Sequence, residues 1–152
     1  MNRPKVGLGI FVFNPSSNKF LVGKRIEEKS FGLPGGKLEY GESFEGCAKR
    51  ELFEETNIDI DESRFKYLCS FNCINKELEY HWVEILMTVH ITSEEEKTII
   101  NNEPHKSEDW VWLSFDEIQC LNANNQLFMG LKTFLKKFKI HSIQNIIEMR
   151  AP

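Results

Sequence analysis

Residues 35–60 read GGKLEYGESFEGCAKRELFEETNIDI, and the placement of three glutamates in this stretch decides both fold and chemistry. Gly35 and Gly36 open a turn, and from Phe44 onward apolar residues recur at helical spacing. At about 100° per residue, Phe44, Cys47, Ala48 and Leu52 share one arc. Glu51 and Glu55 project into that same arc, and Glu54 lies one step to the side. Elsewhere the helix follows ordinary rules. Glu45 and Lys49 are spaced as an i,i+4 pair on the far face. Phe53 points away from the arc, toward a second packing surface or solvent. Asn57 suits a left-handed helix stop.

Inward-facing carboxylates need a physical reason. On an exposed helix face, like charges four residues apart lose only a few tenths of a kcal/mol. Two carboxylates about 4 Å apart repel by about 4 kcal/mol at an effective dielectric of about 20, and partial burial adds a desolvation penalty. A divalent cation removes the conflict. Mg²⁺ characteristically combines a few carboxylates with waters and the oxygens of a phosphate substrate. The approach to the helix agrees, because Gly35, Gly36 and Gly41 permit close backbone approach of a ligand and Leu33-Pro34 keeps the chain extended. The stretch therefore points to phosphate chemistry.

The rest of the chain bounds that reading. Its 152 residues suffice for one domain, 1–152, with a real core. A composition of 41% hydrophobic, 28% charged and 12% aromatic residues excludes a disordered chain. A formal net charge of -4 leaves no broad basic footprint, which argues against long nucleic acid as a partner. The four cysteines form no CxxC pair and the four histidines lack zinc-site spacing, so a reduced, cytoplasmic protein is expected. MNRPKVGLGIFVFN has neither a secretory signal pattern nor the length of a membrane span, and a soluble, untargeted protein is expected.

Period and turn signals predict a hairpin from Val6–Phe13 and Lys19–Lys24, and another from Phe65–Ile74 and Tyr80–Ile91. Trp110–Leu113 reads as a short strand whose tryptophans belong to the core or a dimer surface. Ser114 with Glu117 forms a capping box that opens a helix. Asn125–Phe138 has apolar residues at helical spacing, and Thr92–Lys106 reads as an extended surface loop. Helices and mainly antiparallel strands thus mix in an α+β layer arrangement. The histidines are assigned no chemistry, and the tail from His141 onward is uninformative.

Gly36, Glu42, Arg50-Glu51-Leu52, Glu54-Glu55 and Ile58 resemble the Nudix box, G-x5-E-x7-R-E-U-x-E-E-x-G-U with U apolar. Only Asn57 departs from it, standing where the family has glycine, and asparagine tolerates a left-handed helix end. GKR at 23–25, LPGG at 33–36, EPHKSEDWVW at 103–112 and QLFMGL at 126–131 extend the similarity. They look like the MutT-like nucleoside triphosphate diphosphatases, the Nudix branch that includes a mammalian thiopurine-nucleotide hydrolase and plant relatives. The resemblance implies an α/β/α sandwich with a mixed, largely antiparallel sheet, dependence on Mg²⁺ or Mn²⁺, and homodimers.

The same resemblance implies roles for individual residues. Glu51, Glu55 and the Gly36 carbonyl would bind metal. Glu54 would bind a second metal or act as general base, with Glu103 on the polar loop as the alternative base. Arg50 would orient a box glutamate and Glu42 would fix the loop or helix. Arg25, Gly35, Gly36 and Lys37 would contact the substrate. Phe128, Met129, Gly130 and Leu131 would wall the base pocket opposite Leu33. The branch has tryptophan where Met129 stands and glutamine where Gly32 stands. The implied reaction is hydrolysis of nucleoside triphosphates, oxidised or modified purine nucleotides included, to monophosphate and pyrophosphate in nucleotide-pool sanitation. Alternatives are the same chemistry on NADH, ADP-ribose, nucleotide sugars or dihydroneopterin triphosphate, and a non-catalytic nucleotide-sensing domain. The intact set of Glu51, Glu54 and Glu55 argues for an enzyme.

Overall fold

The computed structural model describes residues 2–150, so the expected boundaries at 1 and 152 fall outside the described residues. β1 (Lys5–Asn14) turns at Asn14–Asn18 into β2 (Lys19–Arg25), followed by β3 (Ser30–Gly32), β4 (Gly35–Lys37) and α1 (Phe44–Thr56). β5 (Lys66–Asn75) and β6 (Tyr80–His90) form the second hairpin. Then come α2 (Ser93–Glu96), β7 (Val111–Leu113), α3 (Phe115–Ala123), α4 (Met129–Lys137) and α5 (Ile143–Arg150).

Both expected hairpins form antiparallel, with Phe13 opposite Phe20 and Asn75 opposite Tyr80. What joins them is parallel: β1 lies beside β6 from Lys5–Trp82 to Phe13–His90. The sheet runs β3-β2-β1-β6-β5, with β4 added to β1 and β7 to β2. β1 is therefore central, and its apolar run is continuous rather than alternating because both faces are covered. Leu8, Ile10 and Val12 pack on Cys47, Ala48 and Leu52 of α1. Phe11 and Phe13 pack on the other face with Ile118, Leu131, Phe134 and Ile146 of α3, α4 and α5. Residues of period two thus feed two separate cores, and helices cover both sides of one mixed sheet. Burying a side chain such as Leu52 contributes about 1.5–3 kcal/mol. No helix among the described residues is long and apolar enough to cross a membrane.

Four local expectations need correction. The helix expected over Asn125–Phe138 begins only at Met129, because Phe31 pairs with Leu127 and draws residues 126–128 into a strand-like path. The polar segment after Thr92 opens with a helical turn, α2, started by a Thr92/Glu95 capping box. Lys49 does not pair with Glu45; it reaches Asp59 at 2.9 Å and the Ile60 carbonyl at 3.0 Å, holding the chain that follows α1. Phe44 is not in the core but stacks on exposed Tyr67 with ring centroids 6.3 Å apart. Asn57 does end α1 in the left-handed region at φ 67°, its N–H donating to the Phe53 carbonyl.

Candidate active site

Ser43 caps the start of α1, its hydroxyl accepting from the Gly46 N–H, and the helix packs on the face of the sheet beneath it. β4 lies beside β1 with Gly36 opposite Leu8 and Gly35 opposite Gly9. That pairing leaves no room for side chains: a Cβ on Gly35 would strike the Leu8 carbonyl, and one on Gly36 would strike the Glu51 carboxylate. Two box glutamates thus lie directly against the glycine turn. Gly35 donates its N–H to Glu55 Oε1 at 3.2 Å, and Glu51 lies over Gly36 with 12% of its side chain exposed.

Arg50 holds this arrangement from the side. Its Nε and Nη2 donate to the two oxygens of Glu42 at 2.7 and 2.8 Å, a bidentate fork. Nη1 donates to Glu51 at 2.9 Å and to Glu54 at 3.3 Å, and Nη2 donates to the Lys37 carbonyl at 3.1 Å. The Arg50 hydrogen bond pulls Glu42 down to about 2. Burial pushes Glu51 above the ordinary carboxylate range despite Arg50. Burial pushes Glu55 up to about 8; the Gly35 N–H and the Arg25 charge oppose this, and the charges of Glu51 and Glu103 add to it. Among the described residues Glu55 forms no ion pair. Glu54 stands apart, half exposed and turned toward Arg50.

The loop after α2 closes the other side. Asn102 N–H and Trp110 Nε1 both donate to the Glu55 carbonyl at 3.2 Å, and Ile100 N–H donates to the Thr56 carbonyl at 2.9 Å. Helix-end carbonyls that lack intrahelical partners are thereby satisfied by the loop. The anchoring places Glu103 where its charge raises both Glu51 and Glu55. Lys106, which the sequence reading overlooked, donates to Glu103 at 2.9 Å, and that bond holds its ammonium above the usual lysine range. Its spacing of three from Glu103 was the available signal.

Of the residues expected to contact substrate, Arg25 ends β2 with its guanidinium 4.2 Å from the centre of the Phe128 ring. Gly32 packs beneath Phe128, and Leu33 lies buried beside Gly9. Met129 is half-buried against the core, whereas Gly130 and Leu131 are buried. Leu131 is thus a core residue, and Phe128 and Met129 remain partly open at the head of α4. Lys37 contributes its carbonyl to Arg50, while its side chain is exposed. Trp110 and Trp112 pack against the α1 side of the sheet. A second overlooked residue, the acid Glu84, lies on β6 beside Gly7 and Gly130. Its signal was a lone acid inside the apolar run YHWVEILMTV.

The donor chemistry fits a hard divalent cation: two half-buried carboxylates lie against a glycine turn too close-fitting for any other residue at Gly36. Among the described residues no three carboxylate, histidine or cysteine side chains gather tightly enough to hold a metal alone. Two carboxylates leave the remaining positions to carbonyl, water and phosphate oxygens, which is the usual share for Mg²⁺.

Residues 3–137 match the NUDIX domain. The chain belongs to the Nudix family. This Nudix chain is 29% identical over 125 residues to the RNA pyrophosphohydrolase of Rickettsia conorii (strain ATCC VR-613 / Malish 7), covering 74% of this chain and 76% of that one. Its fold is similar to that of a MutT NUDIX hydrolase from Burkholderia pseudomallei, with a TM-score of 0.65, 30% identity, and coverage of 76% of this chain and 86% of the other. It also resembles a bifunctional NMN adenylyltransferase/ADP ribose pyrophosphatase from Francisella tularensis, solved with AMP and a manganese ion. There the TM-score is 0.67 at 20% identity, over 90% of this chain and 42% of the other. The α+β architecture is therefore the Nudix fold, with its box glutamates on α1.

Proposed function

We propose that this Nudix domain, spanning residues 1–152, hydrolyses nucleoside triphosphates to the monophosphate and pyrophosphate, with modified purine nucleotides among its substrates. The observation that carries the reading is the Glu51–Glu55 pair, packed against Gly35 and Gly36, with no ion pair to Glu55 among the described residues. Glu51, Glu55 and the Gly36 carbonyl would hold Mg²⁺ or Mn²⁺. Such a cation, when bound, neutralises a polyphosphate and lowers the pKa of bound water. The manganese in the Francisella tularensis structure supports a divalent ion in this fold.

The protein's own groups do the rest. Arg50 keeps Glu42, Glu51 and the Lys37 carbonyl in fixed relation, so the carboxylate pair needs no rearrangement when ligand arrives. Arg25 forms no ion pair among the described residues and lies over the Phe128 ring beside Gly32, with its charge reaching Glu55, which suits it to a phosphate with the base beside the ring. For proton acceptance from the attacking water, Glu103 is favoured over Glu54. The charge of Glu103 reaches both Glu51 and Glu55, whereas that of Glu54 reaches Glu51 and is met by Arg50. Four free cysteines fit the proposed cytoplasmic setting, and the exposed Phe53 offers a surface for the proposed homodimer.

The Rickettsia relative is named for RNA, but a net charge of -4 lacks the cationic track that a long polyanion requires. The test is a panel of ordinary deoxynucleotides, oxidised and thiolated purine nucleotides, NADH, ADP-ribose, dihydroneopterin triphosphate and a 5′-triphosphorylated oligoribonucleotide, each with Mg²⁺ and Mn²⁺. Pyrophosphate release from nucleoside triphosphates is expected. Preferential turnover of the oligoribonucleotide or of a diphosphate ester would transfer the substrate assignment to that compound, and no turnover anywhere would indicate a sensing domain.

A further inference from the structure

β6 carries one acid, Glu84, opposite Gly7 of β1 and Phe71 of β5. The register turns it to the α4 side of the sheet, with Leu86 of the same strand in that core. Glycines adjoin it from two elements. A Cβ on Gly7 would lie 3.1 Å from Glu84 Oε2, and one on Gly130 would lie 3.5 Å from Oε1. The Trp82 ring covers the remaining side of Gly7, 3.0 Å from such a Cβ. Among the described residues Glu84 accepts no hydrogen bond and forms no ion pair. Its oxygens are nonetheless not sealed in, since every fully buried side-chain oxygen or nitrogen has a partner.

A largely buried carboxylate without a donor is disfavoured unless a ligand supplies one. Burial pushes Glu84 above the ordinary carboxylate range, and the Arg25 charge opposes it. The same Arg25 charge acts on Glu55, so one guanidinium acts on both Glu84 and the Glu51–Glu55 pair. Arg25 lies over the Phe128 ring, two residues before the Gly130 that adjoins Glu84. One elongated ligand, anionic at one end and planar at the other, fits that sequence of groups.

We propose that Glu84 is the specificity-determining residue of this cleft, accepting two adjacent N–H donors on the edge of a planar ring, the pattern of guanine N1–H and its 2-amino group. This rests on the nucleoside triphosphate reading above. A carboxylate offers only acceptors. Adenine sets an acceptor beside its amino group, opposing lone pair to lone pair. Hypoxanthine keeps the ring N–H and lacks the amino group.

The experiment titrates GMP, IMP and AMP into the wild-type protein and Glu84→Gln by calorimetry, and measures kcat/KM for the matching triphosphates. Wild type is expected to prefer GMP to IMP and AMP by at least about tenfold, a preference that Glu84→Gln loses, with the change confined to KM. Thermal unfolding of the near-isosteric variant serves as the folding control. Absence of a guanine preference in wild type, or equal loss for all three bases in Glu84→Gln, overturns the assignment. If the guanine preference is present and Glu84-dependent while no triphosphate is hydrolysed, the assignment stands and the hydrolase reading falls.

Discussion

Replacing Arg50 by methionine removes the group that joins Glu42, Glu51, Glu54 and the Lys37 carbonyl. Glu42 is held at about 2 against an ordinary value of 4.5, with the Arg50 hydrogen bond as the first cause. At about 1.4 kcal/mol for each pH unit, that difference caps the contribution of the pair at about 3 kcal/mol. The side chains of Arg50 and Glu42 are 25% and 18% exposed, and solvent screening brings the figure to about 2 kcal/mol. Glu51 also loses its one cationic partner while still buried, which adds to the loss. The expected destabilisation at pH 7 without metal is about 2–4 kcal/mol. A depressed carboxyl gives its full stabilisation above the unfolded value of 4.5 and loses it as pH falls toward 2. The gap between wild type and variant should therefore shrink to less than half by pH 3. Urea unfolding followed by tryptophan fluorescence at pH 7, 5 and 3 measures it. A gap that stays constant across that range, or is missing at pH 7, refutes the assignment of Arg50 as the electrostatic hub.

Glu55 behaves in the opposite sense: its folded value of about 8 lies above the ordinary 4.5, so metal-free protein should lose stability as pH rises between those values. Glu55→Gln should be the more stable protein at pH 8 in calorimetric scans with chelator, should lose that advantage by pH 5, and should gain no melting-temperature increase from Mg²⁺. Gly36→Ala pushes a methyl into the Glu51 carboxylate and should abolish the same Mg²⁺-dependent increase; an unchanged response would remove Gly36 from the metal site. Glu103→Gln should lower kcat by about a hundredfold or more, with KM nearly constant, and Glu54→Gln should lower it less. Steady-state pyrophosphate release ranks the two, and the reverse order would return the base to Glu54.

Local signals carried much of the fold. Asn57 and the Ser114/Glu117 box mark helix ends by short-range signals, and the structure has each in place. Hairpins were legible for the same reason, since Asn14–Asn18 and the turn before Tyr80 act within a few residues. The parallel union of β1 with β6 was not, because nothing local records a partner some seventy residues away. The lost first turn of the expected 125–138 helix has the same cause, a bridge from distant Phe31. At the site, Glu51 and Glu55 were legible because a polar residue in an apolar arc conflicts with the local pattern. Glu84 and Lys106 were not: one is a single acid in a strand, the other a lysine in a polar loop. Their positions depend on Gly7, Gly130 and the anchoring of the loop, all set by tertiary packing.

The loop that carries Glu103 takes up the last carbonyls of α1 through Ile100, Asn102 and Trp110. Helix end and loop therefore behave as one cooperative piece: neither opens without stranding the other's amides in need of a partner. Fraying at this point would loosen Glu55 and the proposed base Glu103 together, so the two ends of the proposed site should come apart in one step.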